Sequence, residues 1–459
     1  MATHIRLRGT SRKGGFLRRL FSVLFIAALL ALGVAVFTLF EFQKPELTLG
    51  KHPTALGGKI ELPLTVTDAK SGIRSLTITL RQNQTDVVLL QRTFPRAAWF
   101  GPAGPRVIEE QVPIDPGTAG ISEGQAELIV EVRDFSLAGF FRGNRTKKVL
   151  PVTMDTKPPV VSVVQSQHAI RPGGSGVVVY SVGEQPARHG VMVDTTLFPG
   201  HPTGKPGFFV AYFALPWDAQ QPKSVRVAAW DEAGNEGSAP CAVLFKKAAA
   251  KHDTITISDN FLQQKMPEFA QHYPEMRGTL LEQYLYVNRE VRQKNAEAID
   301  KLCARTDPQQ LWQGRFLRMP GANRAGFADQ RTYLYQGREI DRQTHLGIDI
   351  ASVANAEIRA ANRGRVVFAD YMGIYGNMVL IDHGQGVASL YSHLNDITTT
   401  AGALVEKNQP IGHSGTSGMA GGDHLHFSML VQGVFVTPIE WWDQHWIDVN
   451  ITPALNAAR

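Results

Sequence analysis

The chain has 459 residues, 43% of them hydrophobic, enough for about three domains with their own cores and too apolar for a disordered tether. Its 47 lysines and arginines exceed its 41 acidic residues by the six charges of Arg6, Arg8, Arg12, Lys13, Arg18 and Arg19, so the remainder is formally neutral. That balance, with no interleaved aromatic and basic motif, excludes nucleic acid as a partner, and the presence of only Cys241 and Cys303 excludes a four-cysteine zinc site.

Residues 1–19 read as a basic cytoplasmic tail, and residues 20–40 as an uncharged, mainly apolar run. At ~1.5 Å per helical residue the run is long enough for a ~30 Å hydrocarbon core. The sequence therefore predicts a single-pass transmembrane helix that makes the membrane a partner. The positive-inside rule then places the tail in the cytoplasm and the rest beyond the inner (cell) membrane, in the periplasm or at the cell surface. A cleaved signal peptide is the rival reading, given the basic tail and the small residues near 31–35. The run outlasts a usual signal core and lacks a clear cleavage site at its end.

Residues 46–156 carry alternating runs such as Ile60, Leu62, Leu64 and Val66, broken by Gly, Pro, Asn and Asp turns, the pattern of a β-sandwich. The stiff Pro158-Pro159 boundary opens a second β pattern over 157–247. Its Trp230, Asp231, Gly234 and Asn235 are similar to the late strand and turn of bacterial immunoglobulin-like modules. Residues 246–251 read as a linker. A helical connector over 253–306 follows, with Leu280, Tyr284, Val287, Val291, Ala298 and Leu302 at helical spacing and Pro274 where a helix can begin. That stripe reads as a packing face; a regulatory element lying over the site described next is the alternative. Cys241 and Cys303 fit either a disulfide formed outside the cytoplasm or two buried thiols.

The chemistry gathers in residues 311–446. His345, Asp349, His393, His424 and His426 have spacings that suit one catalytic zinc ion with spare imidazoles beside it. His424 and His426 alternate with Leu425 and Phe427, so on a strand both imidazoles share one face while the apolar pair points inward. A straight strand would separate His345 from Asp349 by roughly 13 Å, so the chain must bend between them, and Gly347 tolerates the angles of a bend. Two histidines and a carboxylate leave a fourth position for water, as in catalytic zinc sites, and the remaining imidazoles can manage protons. His383, His413 and His445 read as structural. Asp329, Glu339 and Asp341 read as solvated loop residues, and Trp441, Trp442 and Trp446 as packing over a sheet in preference to a stacking wall for ligand.

The motifs His-x-Gly-x-Asp at 345–349, Tyr-x-His-Leu at 391–394 and His-Leu-His-Phe at 424–427 together resemble the lysostaphin-like or LytM-type zinc endopeptidases of peptidoglycan. The likeness covers about the last third of the chain and extends to Tyr375-Gly376-Asn377, Asp382-His383-Gly384 and the 412–418 glycine and serine run. It implies one zinc ion on His345, Asp349 and His426, a catalytic pair His393 and His424, a groove in a mostly antiparallel sheet, and peptidoglycan peptide as substrate. Cell-division or wall-synthesis proteins become candidate partners. Asp423, Ser428 and Ala328 depart from the family pattern without touching a ligand. The whole chain is thus expected to be multidomain and mainly β: a transmembrane helix, two β-sandwich (Ig-like) modules, a helical connector and a C-terminal antiparallel LytM-type peptidase domain. The competing expectation is a catalytically idle scaffold of that fold regulating another cell-wall hydrolase.

Overall fold

Alternating β-branched and aliphatic residues dominate the chain, and strands dominate its fold. A computed structural model describes residues 14–50, 53–98, 102–116 and 120–457. They divide into two units, residues 1–158 with 232–235 and residues 159–231 with 236–459.

The first unit begins with helix Gly14–Leu39. The basic tail expected over 1–19 lies up to residue 13 outside the described residues. The transmembrane anchor expected over 20–40 is not supported: among the described residues no helix is long and apolar enough to cross a membrane. The apolar run folds into one helix together with Arg18 and Arg19.

After this helix, a three-stranded sheet of Glu46–Leu49, Ile60–Thr67 and Val107–Ile114 accompanies a five-stranded sheet centred on Ile73–Gln82 and Gly124–Asp134. Period-two alternation sends Leu62, Leu64 and Val66 from the first and Leu76, Ile78, Leu80, Leu128 and Val130 from the second into one core.

In the second unit, two four-stranded sheets occupy residues 161–240, one around Ser175–Val182 and Phe208–Ala214, the other around Arg188–Val193 and Val225–Trp230. Residues 251–257, at the junction of the stretches read as linker and helix, form strand Lys251–Ile257, parallel to Asp329–Tyr335. The β-branched run Thr254-Ile255-Thr256-Ile257 accounts for it.

The helices begin at Asp259–His272, capped by Ser258, which accepts from the Phe261 amide. A second start at Leu280–Tyr286 has a Thr279–Glu282 capping box and continues through a widened turn into Arg292–Cys303. Leu262, Met266, Phe269, Tyr284, Val291 and Ile299 are buried with Ile374 of a short helical turn and with Met378, Leu380 and Leu430 of the large sheet. The helical segment is therefore part of the body that carries the site. That body is a ten-stranded sheet in which Ile348–Ala351, Leu425–Val431, Val387–Ile397 and Asn377–Asp382 lie side by side. Cys241 and Cys303 are separate buried thiols.

Candidate active site

The bend required between His345 and Asp349 is made by ending one strand and starting another. Strand Arg338–His345 pairs with Asp329–Tyr335, and after Leu346 and Gly347 strand Ile348–Ala351 joins the large sheet, with Asp349 opposite His426. Gly347 is required for space and not for an unusual backbone angle: a Cβ there would lie 2.5 Å from His426 Nε2 and 2.6 Å from Ser428 Oγ, and its φ lies outside the left-handed region. On the far side of Leu425–Val431, Ser392 pairs with His426. The strand then bulges, because the register against Asn377–Asp382 shifts between Tyr391 and Leu394, and His393 takes φ +62°. His424 precedes its strand and bridges to Gly415. Leu425 and Phe427 are buried, as the alternation requires.

All five sequence-predicted side chains meet. His345 Nε2 is 2.9 Å from Asp349 Oδ1 and 2.8 Å from His426 Nδ1, and His426 Nδ1 is 2.9 Å from the same carboxylate oxygen. The outer contacts fix the tautomers. His345 Nδ1 lies 2.7 Å from the Gly326 carbonyl, which can only accept, so the proton is on Nδ1 and Nε2 presents a lone pair. Ser428 Oγ donates to the Leu346 carbonyl at 2.7 Å and so accepts from His426 Nε2 at 3.0 Å, leaving a lone pair on His426 Nδ1. Burial pushes His426 down to about 4, which keeps it neutral.

The Asp349 carboxyl is held well below the usual range despite its burial, and so it stays ionised. Three electron-pair donors thus converge on a point that only a cation satisfies. A tetrahedral ion with bonds of about 2.0–2.1 Å needs donors about 3.3 Å apart, so the trio has only to open by about half an ångström. His345, Asp349 and His426 can therefore form a metal site.

The remaining imidazoles stand beside it, their rings 4.9 Å apart between centroids. His393 donates from Nδ1 to the Ser417 carbonyl at 2.9 Å, and burial and then the neighbouring imidazoles push it well down, so its Nε2 is a free acceptor. His424 donates from Nδ1 to the Gly422 carbonyl at 2.7 Å and places Nε2 3.6 Å from Asp349 Oδ1. Burial lowers its affinity for a proton, but the Asp349 carboxylate more than offsets this and the net shift is upward. The sequence left these two imidazoles undivided; their surroundings separate them. The five side chains line a cleft of about 800 Å³, with Arg331, Tyr375 and the helical residues Phe261, Tyr284 and Arg292 among its other walls.

Sequence reasoning missed three supports. Arg331 donates from Nη2 to Asp349 Oδ2 at 3.1 Å, turning the other carboxylate oxygen to the imidazoles. Ser428, noted only as a departure from a family pattern, orients His426 and is itself held by the Leu346 carbonyl. The Gly326 carbonyl carries no side-chain signal at all. The residues read as structural behave so: His383 is buried between the Arg363 carbonyl and Ser389, His413 pairs with Asp396, and the His445 amide donates to Asp443. Asp329, Glu339 and Asp341, expected as solvated loop residues, instead lie on strands Asp329–Tyr335 and Arg338–His345: Asp329 is buried and accepts from the Gly326 amide, Glu339 pairs with Arg342 and Asp341 with Arg289. Trp441 is fully buried and donates to Ser175.

Residues 343–438 match peptidase family M23, so this C-terminal segment is an M23 peptidase domain, as its motifs implied. DD-carboxypeptidase/endopeptidase Mpg of Neisseria meningitidis is 37% identical over 21% of this chain and 22% of its own length. Murein hydrolase activator EnvC of Escherichia coli is 36% identical over 21% of this chain and 23% of its own. The chain thus spans less than a quarter of the length of these curated relatives. The catalytic domain of lysostaphin from Staphylococcus simulans is 21% identical, with 32% of this chain and 96% of that domain covered at a TM-score of 0.21.

Proposed function

We propose that this chain is a zinc metalloendopeptidase that hydrolyses peptide cross-links of peptidoglycan, acting outside the cytoplasm in the periplasm or at the cell surface and alongside other wall-related proteins. The observation that carries the proposal is the convergence of three lone pairs from His345, Asp349 and His426, with His393 and His424 opening into the same cleft. Zinc bound there supplies Lewis acidity and lowers the pKa of a coordinated water to about 7. His345 and His426 present neutral nitrogens, fixed by Gly326 and Ser428, and Asp349 is held in position by Arg331. His393, neutral and anchored through Nδ1, takes the proton of the attacking water at Nε2. His424, anchored through Nδ1 by the Gly422 carbonyl and standing beside His393, stabilises the charge that develops on the carbonyl oxygen. The names of the relatives support wall peptide as the substrate class.

The test is digestion of isolated cell wall by the zinc-loaded full chain, with released fragments identified by mass. New termini at cross-link peptide bonds, absent with His426→Ala, are the expected result. Stoichiometric zinc without any cleavage would reject the substrate. A second reading, an idle scaffold that regulates another hydrolase, draws on the activator among the relatives. It predicts that His426→Ala, if folded, retains cellular function, whereas the enzyme reading predicts its loss.

A further inference from the structure

The first unit holds a second convergence of donors, made of oxygen alone. Glu41, Asp68 and Asp134 are buried, and one carboxylate oxygen from each lies within 4.8 Å of the others. They arrive from three distant places: Glu41 follows the N-terminal helix, Asp68 follows strand Ile60–Thr67, and Asp134 ends strand Gly124–Asp134. Uncharged groups supply hydrogen bonds to them. Asp68 Oδ1 accepts from the amides of Lys70 and Gly72, Glu41 Oε2 from the amide of Ser71, and Asp134 from the amides of Ser136 and Asn144 and from the Asn144 side chain.

Two oxygens at this place have no hydrogen-bond partner at all. Asp68 Oδ2 is buried on a residue only 5% exposed, on the side of the carboxylate away from the Lys70 and Gly72 amides. Ser71 Oγ is also buried and unpartnered, on the residue whose amide holds Glu41. A buried, unsatisfied carboxylate oxygen beside two further carboxylates is strongly unfavourable unless a cation binds it. With no nitrogen or sulfur donor in the trio the site is hard, and three carboxylates with a neutral hydroxyl at hand suit the flexible oxygen shell of calcium better than zinc. We propose that Glu41, Asp68 and Asp134 bind a calcium ion that fastens the segment after the N-terminal helix to the ends of two strands of the β-sandwich. The proposal is independent of the peptidase reading, since it concerns other residues and another metal.

Equilibrium dialysis of the chelator-treated, zinc-reloaded full chain against calcium, paired with thermal unfolding, tests it. The expected result is a single calcium ion bound in wild type, with a melting temperature that rises as calcium is added. Asp68→Asn, whose side-chain oxygen can still accept from Lys70 and Gly72, should lose both responses while keeping its zinc. Should that variant not fold, the wild-type dialysis decides by itself together with Asp134→Asn. No bound calcium in wild type, an equal response in the variants, or an equal shift with zinc alone would each overturn the assignment.

Discussion

Two buried clusters, one in each unit, solve the same electrostatic problem with different donors. In the peptidase domain a single carboxylate, Asp349, is paired with Arg331 through Oδ2 and meets two neutral imidazoles at Oδ1. In the β-sandwich unit three carboxylates face one another, and burial pushes Asp134 up to about 6, with hydrogen bonds from Asn144 and Ser136 offsetting only part of the cost. Neutral nitrogen donors can pack together and wait for a metal. Like charges cannot, so the oxygen cluster needs its cation to be comfortable in the fold. Mixed nitrogen and oxygen donors fit a site built for reaction; oxygen alone fits a clasp.

The sharpest way to break this contrast is His426→Ala. It should abolish zinc retention and wall cleavage together, read by metal analysis and digestion, while the calcium response of the other cluster stays at its wild-type size. His393→Ala should keep zinc yet lose about 10²–10⁴-fold in kcat, because it removes proton transfer and not a ligand; equal loss of zinc would show that the imidazole positions the metal instead. Ser428→Ala releases His426 Nε2 and should weaken zinc affinity or activity by about 10–100-fold, measured by competition with a chelator.

The smallest effect concerns a third buried carboxylate, Glu440, which accepts from the Ser175 amide at 2.8 Å and has Arg171 nearby. Burial raises it from 4.5 to about 7. The fold favours its protonated form, so the associated stability is fully present below about 4.5 and is lost as pH rises through about 7. The loss is on the order of 3 kcal/mol at most. Melting temperatures between pH 5 and pH 8, both about this range, should therefore fall less steeply in Glu440→Gln than in wild type.

The candidate site was legible because the residues that would carry its chemistry sit at short spacings. His345, Gly347 and Asp349 announce a bend, and His424 and His426 announce a shared face. What stabilises those side chains was not legible, since Gly326 acts through a backbone carbonyl and Arg331 through a contact across strands that no periodicity encodes. Gly347 was noticed for the wrong reason: it makes room for His426 and Ser428. The N-terminal run shows the opposite failure, in which hydropathy along residues 20–40 suggested a membrane span but the helix that forms also takes in Arg18 and Arg19. The acidic cluster escaped notice because Glu41, Asp68 and Asp134 share no spacing; only the closing of the sandwich brings them together.

His393 illustrates how chemistry leaves a mark on sequence drift. A non-glycine residue at φ +62° carries a local strain of about 1–2 kcal/mol, and glycine or asparagine would relieve it. A lineage with no further use for the imidazole would therefore gain robustness by discarding it. If His393 takes part in the reaction proposed above, that strain is the cost of placing its imidazole in the cleft.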